Sequence, residues 1–142
     1  MRKKWTLTLD DARAASTAAR AEAVKNGWEV VIAIVDEAGV LLHFERADGA
    51  QKGSATVAVE KARTAALFRR PSSVFEKLTL EGKPHMAHLP GATPIEGGEP
   101  IMMEGECVGA VGVSGVQSFQ DGIVARAGVA ALTTDGGHSA SG

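Results

Sequence analysis

The stretch VVIAIVDEAGVLLHFER, residues 30–46, decides the fold of this chain. Its first half is an unbroken run of mainly β-branched side chains, which is typical of a strand buried on both faces. Glu37-Ala38-Gly39 then indicates a short hairpin loop in which glycine supplies a positive φ angle. We therefore predict one strand at residues 29–36 and a second, antiparallel strand at residues 40–46.

Small side chains at helical spacing predict the helices around this hairpin. Across residues 9–26 alanines recur every three or four positions, and Thr8 with Asp11 forms an imperfect capping box at the start. Gly27 follows at the position where helices commonly end. Further helices are predicted at residues 54–68, 72–78 and 118–132.

A second hairpin is predicted from two apolar runs at residues 100–104 and 106–114. The segment before it, residues 81–98, is rich in proline and glycine, and loops of that length in compact domains tend to be functional or disordered. The small, polar residues 133–142 are predicted to form a disordered tail. The order of elements is one helix, two strands, one or two helices, two or three strands and a last helix, which predicts a single α/β (α+β) domain at residues 1–132.

The composition excludes several classes of function. The chain has 142 residues and a net charge of −2, without the basic patch that nucleic-acid binders usually carry, so we predict no nucleic-acid partner. No window approaches the roughly 20 apolar residues of a membrane span, so we predict no membrane partner. A single cysteine excludes an internal disulfide and suggests a reducing, cytoplasmic location. Because tyrosine is absent, no tyrosyl acid, base or axial ligand is available.

Five stretches of the sequence occur in the order and at the approximate spacing of a known family. They are AIVDEAGVL at residues 33–41, RADGA at 46–50, EKARTA at 60–65 with Phe68, GGEPI at 97–101, and VGAVGVSG at 108–115 with Gln120 and Asp121. On these residues the chain resembles the GlcG/HbpS-like haem-binding family, a domain also attached to PduO-type corrinoid adenosyltransferases. The resemblance covers about residues 7–132.

The resemblance implies a profilin-like fold, with a mainly antiparallel sheet of about five strands and helices on its faces. It also implies homo-oligomers from dimers to larger rings, and a small-molecule ligand of which haem is one possibility. Some members use an N-terminal histidine for haem, and the helix predicted at residues 9–26 contains none. Haem would then need His85, His88 or Met86, which lie in the predicted loop. We predict no separate metal site.

The turn after the second strand contains Arg46, Asp48 and Gly49. One interpretation is the corner of a pocket, where Asp48 binds or deprotonates a ligand and Arg46 pairs with a carboxylate. The alternative is an Asx-type turn in which Asp48 caps the second helix.

Three further residues are candidates for proton transfer. Lys61 lies among alanines on the second helix, where partial burial would lower the pKa of its amine; a lysine of this kind more often covers apolar surface with its stem. His85 and His88 could bind a metal or act as a base, or they could simply be solvated loop residues.

The glycine-rich last strand could contact a ligand through Gly112, Ser114 and Gly115, although glycines in a strand more often permit close packing. We predict one pocket touched by Arg46, Asp48, Lys61, a loop histidine and Ser114, with the loop as its lid. The function predicted is an oligomeric binding protein for haem or another planar, carboxylate-bearing molecule. One alternative is a small catabolic lyase or isomerase acting on an organic or aromatic acid, and another is a purely structural partner of a second enzyme. It remains open whether the chain is an enzyme.

Overall fold

A computed structural model describes residues 1–133. In chain order the elements are α1 (Leu9–Lys25), β1 (Val31–Asp36), β2 (Leu41–Arg46), α2 (Ser54–Phe68), α3 (Ser73–Leu80), a 3-10 helix (Pro84–His88), β3 (Gly98–Met103), β4 (Glu106–Ser114) and α4 (Ser118–Thr133). Of the tail predicted at residues 133–142, only Thr133 lies within the described residues, as the last residue of α4.

The four strands form one antiparallel sheet in the order β2-β1-β4-β3. Both predicted hairpins are confirmed, and the α+β class is confirmed with them. The expected number of about five strands is one too high for residues 1–133. The loop at residues 81–98 supplies a 3-10 helix instead, and its prolines lack the backbone N–H that a sheet ladder requires.

Helices cover both faces of the sheet. On one face α2 packs its buried alanines against Val31, Ala33 and Val35 of β1. On the other face α1 and α4 cover Ile32 and Ile34 together with the apolar side chains of β4. The predicted alanine stripe of α1 is entirely buried; it consists of Ala12, Ala15, Ala19 and Ala23.

Helix α1 begins and ends where the sequence predicts, to within one residue. The Asp11 N–H donates to Thr8 Oγ1 at 3.1 Å, and the Thr8 N–H donates to Asp11 Oδ2 at 2.9 Å, which completes the capping box. At the other end Gly27 has a φ of 74°. The chain is thereby turned from α1 towards β1.

Helix α2 approaches the sheet so closely that backbone contacts backbone. A Cβ atom on Gly112 would overlap the carbonyl oxygen of Ala58, and one on Gly98 would overlap the carbonyl oxygen of Lys61. Only glycine fits at these two positions, because any side chain would overlap the α2 backbone. The close approach also places the side chain of Lys61 inside the protein.

The loop at residues 81–98 is fastened to α2 and α3. Ser72 Oγ donates to the Ile95 carbonyl at 2.6 Å and accepts from the Gly98 N–H at 2.9 Å. Thr64 Oγ1 accepts from the Thr93 N–H at 2.8 Å. The second half of the loop is thus a packed part of the domain, whereas the sequence suggested a lid over a pocket.

Candidate functional site

A groove of about 320 Å³ opens between the end of α1 and the open end of the β1–β2 hairpin, where β1 begins and β2 ends. Apolar side chains form its floor: Ala23, Val24, Trp28, Val30, Ile32 and Ala47. Charged side chains form its rim: Arg20, Glu29, Glu45, Arg46 and Asp48. An apolar concavity with a few converging polar groups is the usual form of a small-molecule site.

Arg46 and Asp48, two of the predicted site residues, both line this groove. Both are exposed, and neither side chain forms a hydrogen bond or ion pair with another of residues 1–133. Asp48 does not cap α2, because the N-cap residue is Gly53 and no side chain of residues 1–133 forms a capping hydrogen bond at that helix start. The capping alternative is therefore wrong, and the pocket-corner interpretation stays a prediction.

The other arginine of the groove is already paired. Arg20 Nε lies 2.8 Å from Glu45 Oε2, and Glu45 Oε1 also accepts from Ser16 Oγ at 2.7 Å. His43 Nε2 lies 3.5 Å from the same Oε1 atom. Arg46 is consequently the guanidinium of the groove that remains available to an anion.

Gly49 positions an acidic residue of the rim. Its N–H donates to Glu29 Oε1 at 3.1 Å, and a Cβ atom at this position would overlap the Glu29 carboxylate. Gly49 therefore acts by holding Glu29. Sequence reasoning missed both Glu29 and the half-buried Trp28. Their position directly after Gly27, which ends α1 and turns the chain towards the sheet, was the signal that could have indicated them.

Lys61 lies away from the groove, in the interior. Its side chain is 2% exposed, and its Nζ lies 3.0 Å from Asp121 Oδ2 and 3.1 Å from the Val113 carbonyl oxygen. Burial raises the pKa of Asp121, while Lys61 and the backbone N–H of Val116 favour its ionised form. The expected reach of Lys61 towards a pocket is wrong for this chain, because its amine points into the contact between α2, β4 and α4.

The residues predicted around the end of β4 are also packed. Ser114 Oγ donates to Ser54 Oγ at 3.1 Å, and both serines are buried. Gly112 faces α2, and a Cβ atom on Gly115 would lie 2.7 Å from the Glu29 carbonyl oxygen. These positions serve close packing, which was the alternative interpretation of the glycines.

His85 and His88 both lie on the 3-10 helix and are exposed. Neither lines the groove. The single pocket expected from the sequence is not assembled within residues 1–133, since the groove includes Arg46 and Asp48 but leaves out Lys61, Ser114 and both histidines. Within the same residues no three histidine, cysteine, aspartate or glutamate side chains come close enough to hold a metal ion.

Comparison with known proteins places this chain in a family. A family model described as haem degrading protein HbpS-like matches residues 7–130. The chain belongs to the HbpS-like family. Protein GlcG of Escherichia coli strain K12 is 41% identical over 114 residues, which cover 80% of this chain and 85% of GlcG. An uncharacterised 15.0 kDa protein from the dhaT-dhaS intergenic region of Citrobacter freundii is 30% identical over 125 residues, or 85% of this chain and 88% of that protein.

Solved structures of HbpS-like proteins share the same fold. A double mutant of HbpS from Streptomyces reticuli superposes with a TM-score of 0.86 at 35% identity, covering 93% of this chain and 90% of that one. The structure of a PduOC:haem complex superposes with a TM-score of 0.82 at 24% identity, covering 90% of this chain and 96% of that one. The recognition of the family from the five sequence stretches is confirmed.

Proposed function

We propose that this HbpS-like protein is an oligomeric small-ligand-binding protein whose groove takes a planar molecule bearing a carboxylate. The observation that carries the proposal is the unpaired guanidinium of Arg46 on the rim of the groove that Trp28 lines. A guanidinium binds a carboxylate through two parallel hydrogen bonds, and an indole face offers apolar area to a flat ring. The groove volume of about 320 Å³ suits a molecule of one or two rings.

Haem fits this groove poorly. Among residues 1–133, those that line it include no histidine, cysteine or methionine, so this part of the chain places none of the usual axial ligands for haem iron there. A relative in the PduOC:haem complex binds haem, and haem remains a second candidate ligand here. The two exposed histidines of the 3-10 helix, His85 and His88, are the residues that would contact it.

A titration with 2-naphthoate tests the groove directly. Trp5→Phe leaves Trp28 as the only tryptophan, so its emission reports binding. We expect saturable quenching that Arg46→Ala weakens at least about tenfold, the loss expected for a charge-assisted anchor. Arg13→Ala, which removes an exposed arginine of α1 outside the groove, should leave the affinity unchanged.

Replacing the ligand by 2-naphthamide separates charge from shape. The amide should bind about as weakly to the wild type as naphthoate binds to Arg46→Ala. Equal affinity for the acid and the amide would contradict the proposed role of Arg46. A haem titration is the parallel test: an absorbance band near 400 nm that the double variant His85→Ala, His88→Ala abolishes would support the second candidate, and tight binding that survives it would exclude these ligands.

The proposed oligomer has a candidate surface on β2. This edge strand exposes Leu41 and Phe44, and Val40 before it is 58% exposed. An open edge with apolar side chains favours pairing with another chain. We expect light scattering to show a dimer or larger species that Phe44→Glu weakens, while Leu80→Glu, a change at a more exposed apolar side chain on α3, does not. A monomer at micromolar concentration would contradict the proposal.

Catalysis by acid–base chemistry is the alternative function, and Asp48 is the residue that favours it. Its free carboxylate shares the groove with Arg46, so an acid held by Arg46 would lie within its neighbourhood. Asp48→Asn should then abolish turnover of a bound acid while leaving its binding intact. Lys61 has no part in this scheme, because its amine is committed to Asp121.

Within residues 1–133 no helix combines the length and apolarity that a membrane span requires. The cytoplasmic location stays a prediction from the single cysteine, and the absence of a nucleic-acid partner stays a prediction from the charge pattern. Fractionation of tagged cells and a filter-binding assay would check the two.

A further inference from the structure

A second cavity lies on the far side of the sheet from α2, beneath the N-terminal segment, which we define as residues 1–7. Its volume is about 190 Å³. The N-terminal segment, the β3–β4 hairpin and the end of α4 enclose it. Six apolar side chains line this N-terminal cavity: Trp5, Leu7, Ile101, Met103, Val108 and Leu132.

The N-terminal segment is held over the cavity by polar contacts with the turns of two hairpins. Trp5 is 55% exposed and forms part of the cavity wall, so its indole closes the opening without being built into the core. The contacts are Arg2 Nη1 to Glu106 Oε2 at 3.3 Å, Lys4 Nζ to Glu37 Oε2 at 2.7 Å and Trp5 Nε1 to Glu104 Oε1 at 3.2 Å.

Exposed contacts of this kind are individually weak. The Arg2 and Lys4 side chains are 79% and 49% exposed. By contrast Leu7, at the end of the segment, packs against the core cluster that contains Ile101 and Val108. Residues 1–6 can therefore release without disturbing the sheet, which gives a ligand a way in.

The charge around the cavity selects against acids. Among residues 1–133 the polar residues of its lining are Thr6 and Asp11, and Asp11 is held in place by the Thr8 N–H. Glu104 lies at the opening, bonded to the indole of Trp5. No lysine or arginine is among the lining residues drawn from residues 1–133, so a carboxylate inside the cavity would lie next to the Asp11 carboxylate without a cation in the lining.

We propose that the N-terminal cavity binds a neutral, apolar molecule of about one aromatic ring, with Trp5 as its movable lid. An apolar cavity of about 150 Å³ is known to stay dry and to accept benzene, and the cavity here is of similar size. This site is separate from the groove that Arg46 lines, and its preference is opposite: the groove takes an acid and the cavity rejects one.

Toluene is the probe that tests the proposal. Methyl resonances of Met103 and Ile101 should shift on titration and saturate, with a dissociation constant on the order of 1 mM or tighter. Benzoate at the same concentrations should leave these methyl groups unmoved. Because benzoate is also a candidate for the groove, shifts in the Trp28 indole upon benzoate addition test the proposed function independently.

Two variants test whether toluene binds in the N-terminal cavity. Val108→Phe fills the cavity and should abolish the saturable shifts. Since that variant could fail to fold, Trp5→Ala, at an exposed position, is the second: it should weaken toluene binding about fivefold by removing one wall of the site. Leu80→Ala removes an apolar side chain of α3 that is 79% exposed and lies outside the cavity lining, and should change nothing. Shifts that rise linearly without saturation, that benzoate reproduces, or that Trp5→Ala leaves unaltered would overturn the proposal.

Discussion

Replacing Lys61 by Met removes the charge that compensates a carboxylate in the interior of the protein. Lys61 and Asp121 are each 2% exposed, and their charged atoms lie 3.0 Å apart. Met has nearly the volume of Lys and keeps the packing of the stem against Gly97, so the variant isolates the loss of the charge. Asp121 would keep its backbone partner, the Val116 N–H at 3.2 Å.

The magnitude follows from the burial of the partner that remains. Removing one member of a buried ion pair costs about 3–5 kcal/mol, because the other charge is left uncompensated. A chain of this length has a free energy of unfolding of roughly 7–20 kcal/mol, so the variant should stay folded at 25 °C. For a domain of this size the loss corresponds to a fall in Tm on the order of 10 °C.

Urea unfolding followed by circular dichroism measures this loss, and the matched control is Lys25→Met. Lys25 pairs with Glu22 at 3.7 Å, but its side chain is 73% exposed, so its removal should cost less than about 1 kcal/mol. Equal losses for the two variants, or a loss below about 1 kcal/mol for Lys61→Met, would refute the idea that the buried pair stabilises this fold.

The loss should also depend on pH. Burial already raises the pKa of Asp121, and removing Lys61 raises it further. A carboxyl group whose pKa is raised in the folded state contributes stability below its unfolded pKa, and this contribution is lost as the pH rises through the folded pKa. The stability of Lys61→Met relative to the wild type should therefore be lowest at neutral pH and should recover as the pH falls towards about 4. A penalty that is constant with pH would count against Asp121 as its source.

Three more results are expected from unfolding measurements. Gly112→Ala should lower the free energy of unfolding by about 3 kcal/mol, because the new methyl group overlaps the α2 backbone. Gly53→Ala has open space around it and should change this free energy by less than about 0.5 kcal/mol. Equal losses for the two variants would contradict the close approach of α2 to the sheet. Burial raises the pKa of Glu99, so the wild type should lose stability relative to Glu99→Gln as the pH rises from 4 to 7, and parallel pH curves would contradict this. Thr8→Ala should cost about 1 kcal/mol through the lost capping box, and Thr17→Ala, an exposed change within α1, should cost clearly less; equal losses would argue against the cap.

The elements were predictable because their signals are local. The bounds of α2 and β4 coincide with the predicted ones, since the alanine repeat and the apolar run that define them lie within the elements themselves. Residues 29 and 30 were wrongly included in β1: the β-branched run already begins at Val30, whereas ladder pairing begins between Val31 and Ser114. Local patterns thus identify an element better than the point where its pairing stops.

The site was only half predictable, because its other half depends on tertiary contacts. Arg46 and Asp48 were found from a turn motif that lies within five residues. The burial of Lys61 depends on Gly98 and Gly112, which admit the α2 backbone from strands far along the chain. Trp28 joins the groove only because α1 ends beside β2. Helical spacing correctly placed Lys61 on the same helix face as the alanines. The spacing alone does not predict how fully that face is buried.

The glycine-mediated contact between α2 and the sheet also determines where this protein can move. With carbonyl oxygens of α2 directly above Gly98 and Gly112, there are no intervening side chains whose rotamers could adjust, so the helix cannot slide without breaking the contact. Amide hydrogens of α2 and β4 should accordingly exchange with solvent only on global unfolding, whereas those of residues 1–6 should exchange through local opening. Local opening is therefore expected on the face of the sheet that α1 and the N-terminal segment cover. Both proposed ligand sites open on that face.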